Sequence, residues 1–151
     1  MCGIAGIIHR NNTGSVGGEM TSMLQAMKHR GPDSTGFAFY GIPSDDELLL
    51  RFKVAEREDL NSGAEIYRAI KERRAEVDRR IESMGGDIQM AETPTEYAFL
   101  YRLRFDPELD NLARLADYIE DVEGAEVLSM GRSLELIKDL GDATEVSAQY
   151  E

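Results

Sequence analysis

The 151-residue sequence is poor in the groups that build metal sites and cross-links, with one cysteine, two histidines and no tryptophan. A single cysteine excludes an internal disulfide framework. Two histidines without a cysteine pair give no basis for a zinc centre, so no metal ligands are assigned. Positive charge is also scarce: 17 Lys and Arg face 29 Asp and Glu, for a net charge of −12. That balance argues against a nucleic-acid partner, because phosphate binding needs clustered basic residues. No signal peptide, transit peptide or long apolar run is present, which leaves no membrane role and makes the cytoplasm the expected location. Gly14-Ser15-Val16-Gly17-Gly18 lacks the lysine of a phosphate-binding loop, and no flavin, iron–sulfur or nucleotide motif occurs, so no cofactor is expected.

What is present is strong local periodicity. Hydrophobic residues make up 42% of the chain against 30% charged, a balance that supports a folded protein of one domain or two small ones. The charge is unevenly spread, with +1 on residues 1–41 and −13 on the remainder. This composition shift places a domain boundary near residue 42. Before it, residues 3–9 read as a short buried strand and 11–18 as a loop. Met20, Met23, Leu24 and Met27 give one apolar face to a helix of about 19–29, which packing against a sheet explains better than a cofactor or partner surface. Gly31-Pro32 stops that helix, and Thr35 to Tyr40 reads as a second strand.

After the boundary, Leu48, Leu50, Phe52 and Val54 alternate with Leu49, Arg51 and Lys53, a strand with one wet face. Ile66, Ile70, Val77, Ile81 and Met84 mark a long amphipathic helix ended by Gly85-Gly86. Its mixed charges over residues 60–82 fit a solvated face. Ile88 and Met90 suggest a short strand, and Tyr97, Phe99, Tyr101, Leu103 and Phe105 a clear one. Their alternation could serve as a stacking platform, but the acidic background favours core packing. Asp106 and Pro107 open a helix lined by Leu109, Leu112, Ala116 and Ile119. Gly124 closes it, and residues 126–130 form a last strand. The order βαββαβ is that of a ferredoxin-like sandwich. A short helix over Ser133–Leu140 and a polar tail follow.

The chemistry is concentrated at the amino terminus. Removal of Met1 would leave Cys2 with a free α-amine beside its thiol. Such an amine titrates at about 7.7–8.0, so it can accept the thiol proton without a histidine. One residue then supplies nucleophile and base. Attack on a primary carboxamide would form a thioester and release ammonia. Any small residue can follow an initiator methionine, so Met-Cys alone carries little weight.

The surrounding residues carry more. Met1-Cys2-Gly3-Ile4-Ala5-Gly6-Ile7, followed by His29-Arg30-Gly31-Pro32-Asp33-Ser34-Thr35-Gly36, resembles the opening of class II glutamine amidotransferases. These include the glutaminase domains of asparagine synthetases and glutamate synthases. The resemblance covers residues 1–41 and implies the first part of an Ntn-hydrolase αββα sandwich. Arg51 to Ala55, Lys71 to Asp78 and Leu115 to Gly124 resemble an insert in the GlxB-like subgroup, related to the glutaminase part of glutamate synthase. The implied fold class is α+β: an incomplete N-terminal part of the Ntn sandwich (residues 1–41), then an acidic βαββαβ ferredoxin-like insert with a C-terminal helix and tail (42–151).

By this resemblance Cys2 is the nucleophile, Arg30 positions groups near it, and the Gly31 carbonyl orients the terminal amine. The alternative for Arg30 and Gly31 is a helix-ending turn held by a salt bridge to Asp33. His9 and His29 are assigned structural roles, and Asp33 and Ser34 turn-forming ones. The family takes its oxyanion donor and its clamp for the amino-acid end of glutamine from a His-Thr-Arg-like strand, an Asn-Gly pair and an acidic residue further on. After residue 41 the sequence has no histidine and no Asn-Gly, so substrate-binding residues are expected in a segment outside these 151 residues. The implied partners are glutamine and a synthase subunit or complementing polypeptide, with little activity expected of this chain alone. The competing reading is a non-catalytic interaction or regulatory module built on the acidic insert.

Overall fold

A computed structural model describes residues 2–10, 14–31, 33–105 and 112–150. It is a mixed α+β structure whose strand pairs are antiparallel. Contacts divide the chain into two compact units, one of residues 1–37 with 138–151 and one of residues 38–137.

The second unit is built on a four-stranded sheet of β2 (Leu48–Lys53), β3 (Asp87–Glu92), β4 (Ala98–Arg104) and β5 (Glu126–Gly131), in the order β3-β4-β2-β5. Its helices are α2 (Ala64–Ser83) and α3 (Leu112–Glu120). The alternation in β2 and β4 sets the register: Leu48, Leu50 and Phe52 lie opposite Leu103, Tyr101 and Phe99. Phe52 meets the Phe99 ring at 5.3 Å and the Tyr101 ring edge-on at 5.0 Å. Ile70, Val77 and Ile81 of α2 and Leu115 and Ile119 of α3 are buried. Each such side chain contributes about 1.5–3 kcal/mol.

Helix α2 ends where the sequence dictates. Gly85 takes φ 85°, and the amides of Gly85 and Gly86 donate to the carbonyls of Glu82 and Ile81, the hydrogen-bond pair of a Schellman motif. Arg80 then ties the helices together. Its guanidinium lies 4.5 Å from the centre of the Tyr118 ring and donates to the Tyr118 carbonyl. Lys53, expected on the wet face of β2, is buried, because Glu56 and Glu126 bring carboxylates to its amine at 2.8 and 3.3 Å. Burial works against that charge, and the two carboxylates outweigh it, so the amine's pKa is raised. The expected helix opening at Asp106 and Pro107, with Leu109, lies outside the described residues.

The first unit contains α1 (Val16–Ala26), a tight turn over Lys28–Arg30 and α4 (Ala143–Tyr150). Helix α1 begins three residues earlier than the methionine spacing suggests. Ser15 accepts the Gly18 amide and caps it, so Gly17 and Gly18 are helical rather than loop. Strands β1 (Ser34–Tyr40) and β6 (Leu134–Leu140) pair with each other. In the first unit Gly141 donates its amide to Asp33, and in the second Gly41 donates to Ser133.

Residues 134–140 form a strand, not a helix. Leu134, Ile137 and Leu140 fit a helical spacing, but Ile137 and Asp139 are buried while Lys138 between them is exposed. A non-local partner decided a segment too short for its period to settle. Residues 3–9 form neither a strand nor a buried segment. Ala5, Ile7 and His9 are half-buried, whereas Ile4 and Ile8 are 93% and 92% exposed. The period of two survives, but no ladder forms on this segment among the described residues.

Candidate functional site

The first unit holds a cleft of about 360 Å³, within the size range of small-molecule sites. Cys2 and Gly3 line it together with Leu24, Met27, Lys28 and the turn that follows. The apolar side of the cleft is the end of α1, and Gly3 sits beside it. A Cβ on Gly3 would rest against the Met27 side chain at 3.5 Å. The polar side is the turn through Arg30 and Gly31, with Asp33, Ser34 and Thr35 at the head of β1.

Local sequence explains the turn. Helix α1 stops at Ala26, and Met27 returns its amide to Leu24. The Arg30 amide then donates to Met27 at 2.8 Å and the Gly31 amide to Lys28 at 3.2 Å. These bonds wind one tight turn that carries Arg30 and Gly31 to the cleft wall. The three residues predicted from sequence, Cys2, Arg30 and Gly31, therefore line one concavity. Arg30 and Asp33 form no ion pair with each other among the described residues, so the turn is held in another way. His9 does not line the cleft and instead meets Glu19 of α1 at 3.1 Å. His29 is exposed and also outside the cleft wall.

What sequence reasoning missed is the contribution of residues 141–143. Ala143, buried at the start of α4, completes the cleft lining. Asp142 caps the same helix, accepting the Thr144 and Glu145 amides at 3.0 and 3.1 Å while Glu145 accepts the Asp142 amide at 3.0 Å. Asp-Ala-Thr-Glu is the aspartate form of a capping box, a signal present in the sequence. Gln25 donates to Asp142 at 3.2 Å and Lys28 pairs with it at 3.5 Å.

Hydrogen bonds from the α4 backbone, above all at Glu145, hold the Asp142 carboxyl below its ordinary value of 3.8, aided by Gln25 and Lys28. A carboxylate with a lowered folded pKa stabilises the fold above the unfolded value and loses that contribution as pH falls through the folded one. We expect α4 to loosen on acidification below about pH 4. Faster exchange of the Val146 amide, which donates to Asp142 at 3.0 Å, would report it. An Asp142→Asn variant should lack this acid dependence.

Among the described residues, no cluster of His, Cys, Asp or Glu is arranged to hold a metal ion. No helix among them is long and apolar enough to cross a membrane. No family model matches the chain. The chain is similar to a protein of Methanothermobacter thermautotrophicus named "Putative glutamine amidotransferase". The two are 32% identical over 157 residues, an alignment that takes in 100% of this chain and 47% of the relative. The chain thus spans about half the length of the curated relative it matches.

Proposed function

We propose that the chain is the N-terminal part of a class II glutamine amidotransferase, with Cys2 as nucleophile and Arg30 and Gly31 as the residues that organise the site around it. The observation that carries this reading is the cleft shared by Cys2, Arg30 and Gly31. Similarity over the whole of this chain to about half of a protein named "Putative glutamine amidotransferase" supports it.

In the proposed reaction the Cys2 α-amine takes the thiol proton, and Sγ attacks the side-chain carboxamide of glutamine. The carbon–nitrogen bond breaks and the proton leaves with ammonia. Water then hydrolyses the thioester to give glutamate. Arg30 places positive charge at the cleft, and the Gly31 carbonyl orients the amine. The ammonia passes to a synthase subunit of the glutamate-synthase type, and no cofactor is assigned to this chain. The first unit is the beginning of an Ntn αββα sandwich, continued by residues 138–151 after the insert. The strand order β3-β4-β2-β5, with two helices, supports a ferredoxin-like assignment of the acidic insert. These residues lack His-Thr-Arg and Asn-Gly segments, and each oxyanion donor is worth a few kcal/mol, so little glutaminase activity is assigned to the chain alone.

Intact-mass analysis and labelling with a diazo-ketone analogue of glutamine test this reading. Loss of Met1 is expected, with a single adduct on Cys2 that Cys2→Ala abolishes. Labelling should be measured with and without a polypeptide matching the part of the relative that this chain does not cover. A retained Met1, or no adduct under either condition, would overturn the proposal in favour of a non-catalytic module.

A further inference from the structure

We propose that Gly141 and Asp142 form a staple that positions the cleft-lining residues Arg30 and Gly31 from both sides, with Asp142 as its positioning residue. The proposal rests on the amidotransferase reading only for what the cleft does. The staple itself is argued from geometry.

The turn carrying Arg30 and Gly31 has two internal backbone bonds and no buried side chain. Left to itself, such a turn samples many conformations. Residues 141 and 142 grip it on both sides. On the leading side, the Asp142 carboxylate takes Gln25 at 3.2 Å and Lys28 at 3.5 Å, the last helical turn and the first residue of the tight turn. On the trailing side, the Gly141 amide donates to the Asp33 carbonyl at 3.1 Å, and its carbonyl accepts the Thr35 hydroxyl at 2.9 Å. One residue can reach both groups because Gly141 takes φ 118°, a conformation that glycine adopts freely.

Asp142 is itself fixed. Its second oxygen is held by the Thr144 and Glu145 amides, and α4 behind it is anchored by buried Ala143 and Val146. The charged groups around it are Lys28 on the turn and Glu145 on α4. A rigid helix start thus sets the spacing between the two ends of the turn and places Ala143 in the same cleft wall.

Amide hydrogen exchange on the full chain tests the staple without requiring catalysis. In Asp142→Ala, the Arg30 and Gly31 amides are expected to exchange about tenfold faster, with β4 amides unchanged. Asp142→Asn keeps the cap through its carbonyl oxygen but turns an NH2 donor toward Gln25 and Lys28, so both leading-side bonds are lost, and Thr35→Val removes the trailing hydroxyl bond. Both should speed the same two amides, and Thr35→Val should do so while the Val146 amide stays protected. Those two variants decide the matter even if Asp142→Ala loosens α4 as a whole. Unchanged Arg30 and Gly31 exchange in both would overturn the staple. Labelling supplies the functional readout: Asp142→Asn should slow Cys2 reaction with the diazo-ketone at saturation but leave its reaction with iodoacetamide unchanged. Equal slowing with both reagents counts against a positioning role. Absence of any diazo-ketone adduct in the unaltered protein, with and without the complementing polypeptide, would overturn the amidotransferase reading instead and leave the exchange result standing.

Discussion

Phe52→Ala is expected to destabilise the second unit by about 3–5 kcal/mol, the cost of removing a buried aromatic side chain and leaving a cavity. Phe52 is fully buried near the end of β2, flanked by β4 and β5. Its ring contacts with Phe99 and Tyr101 add to its area term, at about 0.5–1.5 kcal/mol per pair. Paired strands on both sides cannot close around the void without breaking the ladder, so little relaxation is available. Urea unfolding followed by circular dichroism measures the loss. Tyr67→Ala serves as the comparison, because Tyr67 is 49% exposed and its loss should stay within about 0.5 kcal/mol. A Phe52→Ala cost below about 1 kcal/mol would mean that this sheet is not the packed centre described above.

Tyr101→Phe removes a single oxygen from the same core and is expected to cost about 1–3 kcal/mol. The Tyr101 hydroxyl donates to Asp78 at 2.7 Å and accepts from Arg74 at 2.9 Å. Arg74 in turn lies 4.5 Å above the Phe99 ring. Phenylalanine would leave the half-buried Asp78 carboxylate and Arg74 guanidinium without the hydroxyl that joins them. A double-mutant cycle with Asp78→Ala separates this from simple packing, since the two losses should be strongly non-additive. Burial, reinforced by the hydrogen bond to Asp78, pushes the Tyr101 pKa up from 10.0. The stability this gives is present below the unfolded value and declines as pH rises beyond it. The native protein should therefore weaken above pH 10 more than the Tyr101→Phe variant does, and parallel alkaline profiles would contradict that account.

The parts of the fold legible in the sequence were those whose period was long or whose punctuation was strong. Helix α2 has five apolar positions in register and a Gly-Gly stop. β4 and the residue on either side of it carry five alternating large side chains, Tyr97, Phe99, Tyr101, Leu103 and Phe105, all buried. The candidate site was legible for a different reason, because Cys2, Arg30 and Gly31 lie in two short motifs near one end of the chain. What escaped the reading depends on partners distant in sequence. Leu134–Leu140 suits helix or strand by spacing, and only pairing with β1 decides it. Residues 3–9 have strand alternation but no ladder among the described residues. Gly141 looks like an ordinary turn glycine until Asp33 and Thr35 are seen to share it.

That last dependence has a consequence for synthesis. Gln25 and Asp142 are 117 residues apart and Thr35 and Gly141 are 106 apart. On the ribosome, at about 5–20 residues per second, residues 38–137 are translated in full before the staple emerges. The intervening unit, compact by its own internal contacts, can condense first. Cys2 and the turn through Arg30 are therefore made well before the residues that hold that turn in place. Any delay in condensation of the acidic unit postpones the closing of these bonds and leaves the cleft wall unsecured for longer.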